Sequence, residues 1–436
     1  MNHSHWLASL ALAISSSFLT SANAADMQTS SEAQMPETTV FSPALRFEGK
    51  VVDRMPDGKA IREYAIMRGR KFVWEGRIDN RVAAPETVDR IDNASFDDRY
   101  LTREQLAENL RGLALFNGHQ FREATPAFDL ADQVMRLHEM ERSGALQKSP
   151  AGRSPSQGNA RYNLLQEDKL SLESGSAIGI NIVHGSVDDR DVMANTSYPY
   201  RTNIVFDNAG STSVINSSQG SGTLIGPSTA MSVAHVFWDE GADTWESTHR
   251  WASGYDSADA DPSPYGEWYG CYWVTIPTAY TNGNESRHDY AVLDFDVGCN
   301  SFSNGVNSDE PGATVGWLGA YTASSGDIES KTGYVRGYPG SGSCGNPLVS
   351  CGTRIWGDVS WSSENNATSN FIEHYADTSG GQSGSGFYHY ADPSCSGCGY
   401  GAYLVGMHRA GATNYNQARR FDSTVYSFML AYSSDY

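Results

Sequence analysis

Beyond Ile178 the chain is written in short β-like runs, broken by Gly and Ser and rich in Tyr and Trp. Apolar or alternating runs that stop at turn residues after a few positions cannot sustain a helix, and they read as strands. The exception comes at the end, where Asp422–Ala431 is expected to be helical. This patterning commits roughly the last 250 residues to an all-β architecture.

The region ahead of it is mixed. Residues 25–45 are rich in Ser, Thr and Pro and are expected to be poorly ordered. Short β-like runs fill Arg46 to Val82, with Pro56-Asp57-Gly58 as a hairpin turn. From Thr102 to Leu146 the spacing of Leu106, Leu110 and Leu113, then Phe128, Leu130, Val134 and Leu137, predicts helix. Ser149 to Asn159, rich in Ser, Gly and Pro, reads as a linker. At the start, Trp6 to Leu19 is mostly apolar but too short to span a bilayer, and Ala22-Asn23-Ala24 supplies a small-residue cleavage site. Residues 1–24 therefore read as a signal peptide, although His3 and His5 are the only basic side chains ahead of the apolar stretch. A secreted product is expected, extracellular or periplasmic.

The run Gly380-Gly381-Gln382-Ser383-Gly384-Ser385-Gly386 carries the chemistry. Glycines beside Ser383 remove the Cβ atoms that would hinder a substrate carbonyl. A bend there would aim the N–H groups of Gly381 and Ser383 at one spot, as an oxyanion hole requires. A serine hydroxyl also needs a base and a group that orients the base. Upstream, Gly222 to His235 reads as two apolar strands joined by Gly226-Pro227, with His235 at the end. Between the two lies His288-Asp289-Tyr290-Ala291-Val292-Leu293-Asp294-Phe295-Asp296, a strand with Asp289 at its start. Asp289 is the expected carboxylate. Asp294 and Asp296, deeper in or beyond the strand, are expected to face solvent, and His288 to point away from Asp289.

With these residues in the order His, Asp, Ser, the sequence resembles the trypsin-like serine proteases of the glutamyl endopeptidase (V8-like) family. The likeness spans most of residues 182–436. Asp188-Asp189-Arg190 and Asn195-Thr196-Ser197-Tyr198-Pro199-Tyr200-Arg201 resemble the start of mature Bacillus-type members. Leu224 to His235, Asp289-Tyr290-Ala291, Gly337-Tyr338-Pro339-Gly340 and Asp377 to Ser385 resemble the segments that follow. The resemblance implies a chymotrypsin-like double six-stranded β-barrel with a C-terminal helix. It implies catalysis by His235, Asp289 and Ser383, with the oxyanion held by Gly381 and Ser383. It places Thr378 and His408 in the pocket for the residue before the cut, where a hydroxyl and an imidazole suit Glu, then Asp. Arg409 is expected on the opposite face of an extended segment from His408, outside the pocket. Three positions depart from the pattern: Val236 stands where many relatives have Cys, Gly386 where Pro is usual, and Gln382 where pancreatic-type enzymes bind a freed N-terminus with Asp.

The implied organisation is a signal peptide (1–24), a mixed α/β propeptide (25–181) and a protease domain (182–436), with maturation between Glu173 and Ile182. Neither a metal nor an organic cofactor is expected. The expected partners are protein or peptide substrates and the chain's own propeptide. Residues 182–436 carry 27 Asp/Glu against 10 Lys/Arg, about −17 of the total −20, which disfavours nucleic acid and anionic membranes. The acidic Asp256–Asp261 stretch lacks EF-hand spacing and reads as a solvated loop. Six cysteines in an exported chain suggest disulfides, and proximity favours Cys271–Cys299, Cys344–Cys351 and Cys395–Cys398 over a zinc site. The rival readings are a trypsin-fold protease of other specificity and an inactive, protease-like binding or adhesion protein.

Overall fold

The computed structural model describes residues 37–78, 100–143, 156, 188, 190–208, 210, 213–283, 286–340, 353–390, 401–411 and 414–435. The signal peptide, the maturation segment and the other four cysteines lie outside these residues. Two sheets organise the described chain.

In the first sheet, Asn203–Asp207, Gly220–Leu224, Thr229–Ser232, Arg250–Ser253, Trp273–Pro277 and Ala291–Asp294 make the first six-stranded half of the protease region. In the second, Gly333–Gly337, Trp356–Ser360, Phe371–His374, Gly386–Tyr390, Ala402–Gly411 and Asn416–Arg420 make the other half. Pairing within each set is antiparallel, in agreement with the expected chymotrypsin-like architecture. The C-terminal helix runs Ser423–Tyr432, and the Asp422 carboxylate caps it by accepting from the N–H groups of Thr424 and Val425. Cys271 and Cys299 form a disulfide, as proximity suggested.

The first sheet does not stop at six strands. It has 13: Trp268–Tyr269 adds to one end, and six strands of the N-terminal region add to the other, because Gly112–Phe116 pairs with Trp273–Pro277 over five residues. One apolar core accordingly contains Phe47, Phe72 and Phe121 together with Trp273, Val292 and Phe428.

The expectation of helix throughout Thr102–Leu146 needs correction. Helices occupy Arg103–Asn109 and Phe128–Arg142, but the strands Gly112–Phe116 and His119–Glu123 form a hairpin between them. Its turn is Asn117-Gly118, with φ of 47° and 81°, the left-handed pair that a two-residue hairpin turn demands. The first helix starts where Thr102 and Gln105 cap one another reciprocally. The hairpin at Pro56-Asp57-Gly58 is present, between Leu45–Arg54 and Ala60–Met67.

Candidate active site

Register brings the base and the acid together. Thr229–Ser232 runs antiparallel to Ala291–Asp294, with Ser232 opposite Ala291. The chain leaving Ser232 therefore passes the residues that enter at Ala291, and His235 meets Asp289. Asp289 lies in the turn ahead of the strand, after the 3-10 segment Ser286–His288, rather than inside it. His235 Nδ1 lies 2.8 Å from Asp289 Oδ2, and the His235 backbone N–H donates to Oδ1 at 3.1 Å. A carboxylate only accepts, so Nδ1 is the donor and Nε2 is left as the basic nitrogen.

Asp289 is fully buried, which alone would raise its pKa. The neighbouring imidazole, its hydrogen bonds and the Arg409 guanidinium outweigh burial and hold the carboxyl well below the usual carboxylate range. Arg409 Nε donates to Asp289 Oδ2 at 3.1 Å, and its Nη1 donates to Gln417 at 2.9 Å. The pairing register shifts between His408 and Ala410, so simple alternation does not place Arg409, whose guanidinium reaches Asp289. The available signal was a cation inside a largely apolar strand, which needs a buried anion.

Asp294 also departs from expectation. It is fully buried rather than solvent-facing, and burial drives its pKa well up. Arg68 is its nearest cation, at 3.9 Å. Asp256, expected in a solvated loop, is buried against Arg354 at 2.8 Å, whereas Asp259 and Asp261 are exposed.

The second sheet presents Ser383. Gly381 and Gly384 have φ of 87° and 86°, and a Cβ on Gly381 would sit 2.4 Å from the Gly340 nitrogen. Glycine is required there both for conformation and for space. The loop is tied to the first sheet by hydroxyls: Ser221 Oγ donates to the Gly381 carbonyl at 2.9 Å, and Ser218 Oγ reaches it at 3.2 Å. Ser221 N–H donates to the Ser383 carbonyl at 2.7 Å. Gly384 N–H donates to the His408 carbonyl at 2.8 Å and His408 N–H to Ser385 at 2.7 Å, so the nucleophile loop and the His408 strand are directly linked.

Thr378 is fully buried, and its hydroxyl has no hydrogen-bond partner among the described residues. His408 is nearly buried, with Nδ1 3.4 Å from His374 Nε2, a neighbour the sequence did not suggest. Gln382, which lacks the charge to hold a free N-terminus, instead accepts from Arg190 Nη1 at 2.8 Å. The same nitrogen donates to Ser379 Oγ at 2.6 Å, and Arg190 pairs with Asp188 at 2.7 Å. An internal guanidinium thus fixes the loop ahead of Ser383. Among the described residues no three His, Cys, Asp or Glu side chains are grouped as a metal site would require.

No protein-family model matches the chain. It is 27% identical over 276 residues to the glutamyl endopeptidase of Bacillus licheniformis, covering 62% of this chain and 75% of that one. It is 25% identical over 272 residues to a Bacillus subtilis protein named extracellular metalloprotease, covering 60% and 71%. Among solved structures, a Glu endopeptidase in complex with MPD overlaps at a TM-score of 0.42 and 21% identity, covering 57% of this chain and 98% of that one. A thermostable serine protease, AL20, from an extremophilic microorganism overlaps at 0.36 and 15%, covering 53% and 95%. The sequence similarity to a glutamyl endopeptidase and the two antiparallel sheets together support a V8-like serine endopeptidase of the trypsin fold.

Proposed function

We propose that the chain is a secreted endopeptidase, made as a zymogen, that cuts peptide bonds after Glu and less readily after Asp. The observation that carries the catalytic part is the 2.8 Å contact of His235 Nδ1 with a fully buried Asp289. Asp289 fixes the imidazole tautomer and stabilises the imidazolium, so Nε2 takes the proton as Ser383 Oγ attacks the carbonyl carbon. The tetrahedral oxyanion is held by the N–H groups of Gly381 and Ser383. His235 then gives the proton to the leaving amine, and water repeats the sequence on the acyl-enzyme. The B. subtilis relative's name points to metal chemistry, but this reading rests on the His235–Asp289 pair.

The unpartnered Thr378 hydroxyl and the His408 imidazole support the acidic preference. A buried donor without a partner is costly, and a substrate carboxylate would satisfy it. The protein's strongly negative charge opposes an acidic side chain, so recognition has to come from these local donors.

The test is cleavage of a peptide library by the processed protein, by Ser383→Ala and by Thr378→Val. Cuts after Glu that vanish in Ser383→Ala are expected. In Thr378→Val, kcat/KM for Glu peptides should fall about tenfold, with neutral peptides little affected. Cuts after other residues, unchanged by Thr378→Val, would discard the pocket assignment.

A further inference from the structure

Residues 37–143 occupy the position of a detachable pro-segment, yet their described strands, all within 38–77 and 112–123, do not form a sheet of their own. Gly112–Phe116 lies along one edge of Trp273–Pro277, and the other edge of that strand pairs with Ala291–Asp294. The rings of Phe72, Phe121 and Phe116 lie 5.2, 5.4 and 6.1 Å from Trp273, and all four side chains are fully buried. A polar seam runs beside this cluster. The Tyr432 hydroxyl lies 2.6 Å from Glu123, which also pairs with Arg70 at 2.7 Å and accepts from Gly112 N–H at 3.1 Å. Thr278 Oγ donates to the Glu108 carbonyl at 2.6 Å, and Cys271 N–H to Asn117 at 3.1 Å. Further along, Ser156 exchanges backbone hydrogen bonds of 3.1 and 2.8 Å with Trp317.

We infer that residues 37–143 are a permanent, strand-sharing subunit of the catalytic region and stay bound after the connecting segment is cut. Their loss would open the edge of Trp273–Pro277, strip four aromatic rings of their packing and orphan a buried Tyr–Glu–Arg group. An interface built like a divided core is the kind found in obligate assemblies. It also reaches the site from behind. The Phe128–Arg142 helix packs on Ser423–Tyr432, and Phe428 of that helix stacks edge-on against Tyr290, next to Asp289, at 5.2 Å.

The test uses the full chain carrying Ser383→Ala, so that it cannot process itself and no readout depends on activity. A recognition sequence for an unrelated site-specific endopeptidase is inserted after Glu173, with an affinity tag after Tyr436. After cutting, the N-terminal piece should remain on the tagged piece through washes in about 1 M salt, which screens exposed ion pairs but not a shared core. In a urea gradient its release should coincide with unfolding of the tagged piece. Tyr432→Phe should speed its release about tenfold by removing the buried hydrogen bond to Glu123 that crosses between the two pieces. Release in native buffer, or in urea before the tagged piece unfolds, would overturn the inference. Because the protein is inactive throughout, that result would leave the peptidase reading intact, and failure of the peptidase reading would leave this one.

Discussion

The two six-stranded halves build their shares of the candidate site by different means. The first supplies His235 and Asp289 from strands whose buried residues are mostly apolar: Leu224, Met231, Trp273, Val274, Ile276, Val292 and Leu293. The second supplies Ser383, Thr378 and His408 from a sheet that buries Arg336, His374, Asn416 and Arg419 around a smaller apolar cluster. Arg419 donates to the backbone carbonyls of Arg287 and Asn370, the latter at 2.7 Å, and Arg336 donates to Val335 at 2.8 Å. Apolar packing is non-directional and costs most when volume is removed. Hydrogen-bonded loops fix direction, and they fail when one donor or one allowed φ is lost. The base side should therefore be fragile in stability, and the nucleophile side fragile in rate.

The largest expected effect follows from the first half. Trp273→Ala should destabilise the protein by about 3–5 kcal/mol, measured by urea unfolding, because it removes the ring that Phe72, Phe116 and Phe121 surround. A loss below about 1 kcal/mol would mean that the N-terminal strands are not part of the core. In the second half, Gly381→Ala should lower kcat about 10²–10³-fold, since its Cβ would meet Gly340 and displace an oxyanion donor. Its melting temperature should also fall, since the new Cβ meets backbone at a positive φ, so kcat per folded molecule is the quantity to compare with Trp273→Ala. A large stability loss with unchanged kcat would erase the distinction between the halves.

Arg409 joins the two halves and should give the smallest effect. Its guanidinium helps to hold the Asp289 carboxyl low. Replacing it by Gln removes that contribution, so Asp289 should take up a proton at higher pH. The acid limb of kcat/KM should then move to higher pH. Arg409→Lys should restore most of the profile. A purely structural role would lower activity at every pH without moving the limb. Acidification acts in the same direction on Asp289: its low pKa contributes stability above the ordinary carboxylate range, and that contribution is lost as pH falls through it.

The legible parts of the chain were those where a local pattern decides the outcome. Short apolar runs gave the β architecture, and the helix expected over Asp422–Ala431 runs Ser423–Tyr432. Residue type and chain order were enough to pair His235 with Asp289, which lie 2.8 Å apart. What stayed hidden depends on contacts between distant segments. The hairpin between the two N-terminal helices was masked because Leu106, Leu110 and Leu113 fit a helical period, although Asn117-Gly118 was there to break it. Asp294 was placed in solvent because the sequence does not show that its strand is covered by the N-terminal region, which brings Arg68 to it. Alternation kept Arg409 out of the pocket, but the register shift between His408 and Ala410 and the contact with Asp289 both depend on pairing between distant segments.

The central claim is that Ser383 is a nucleophile activated by the His235–Asp289 pair. The most direct measurement is labelling of the processed protein with a fluorophosphonate, with the modified residue mapped by mass spectrometry. The account predicts a single adduct on Ser383, abolished by His235→Ala and insensitive to chelators. Peptidase activity that persists without an adduct at Ser383, or that a chelator removes, would contradict it.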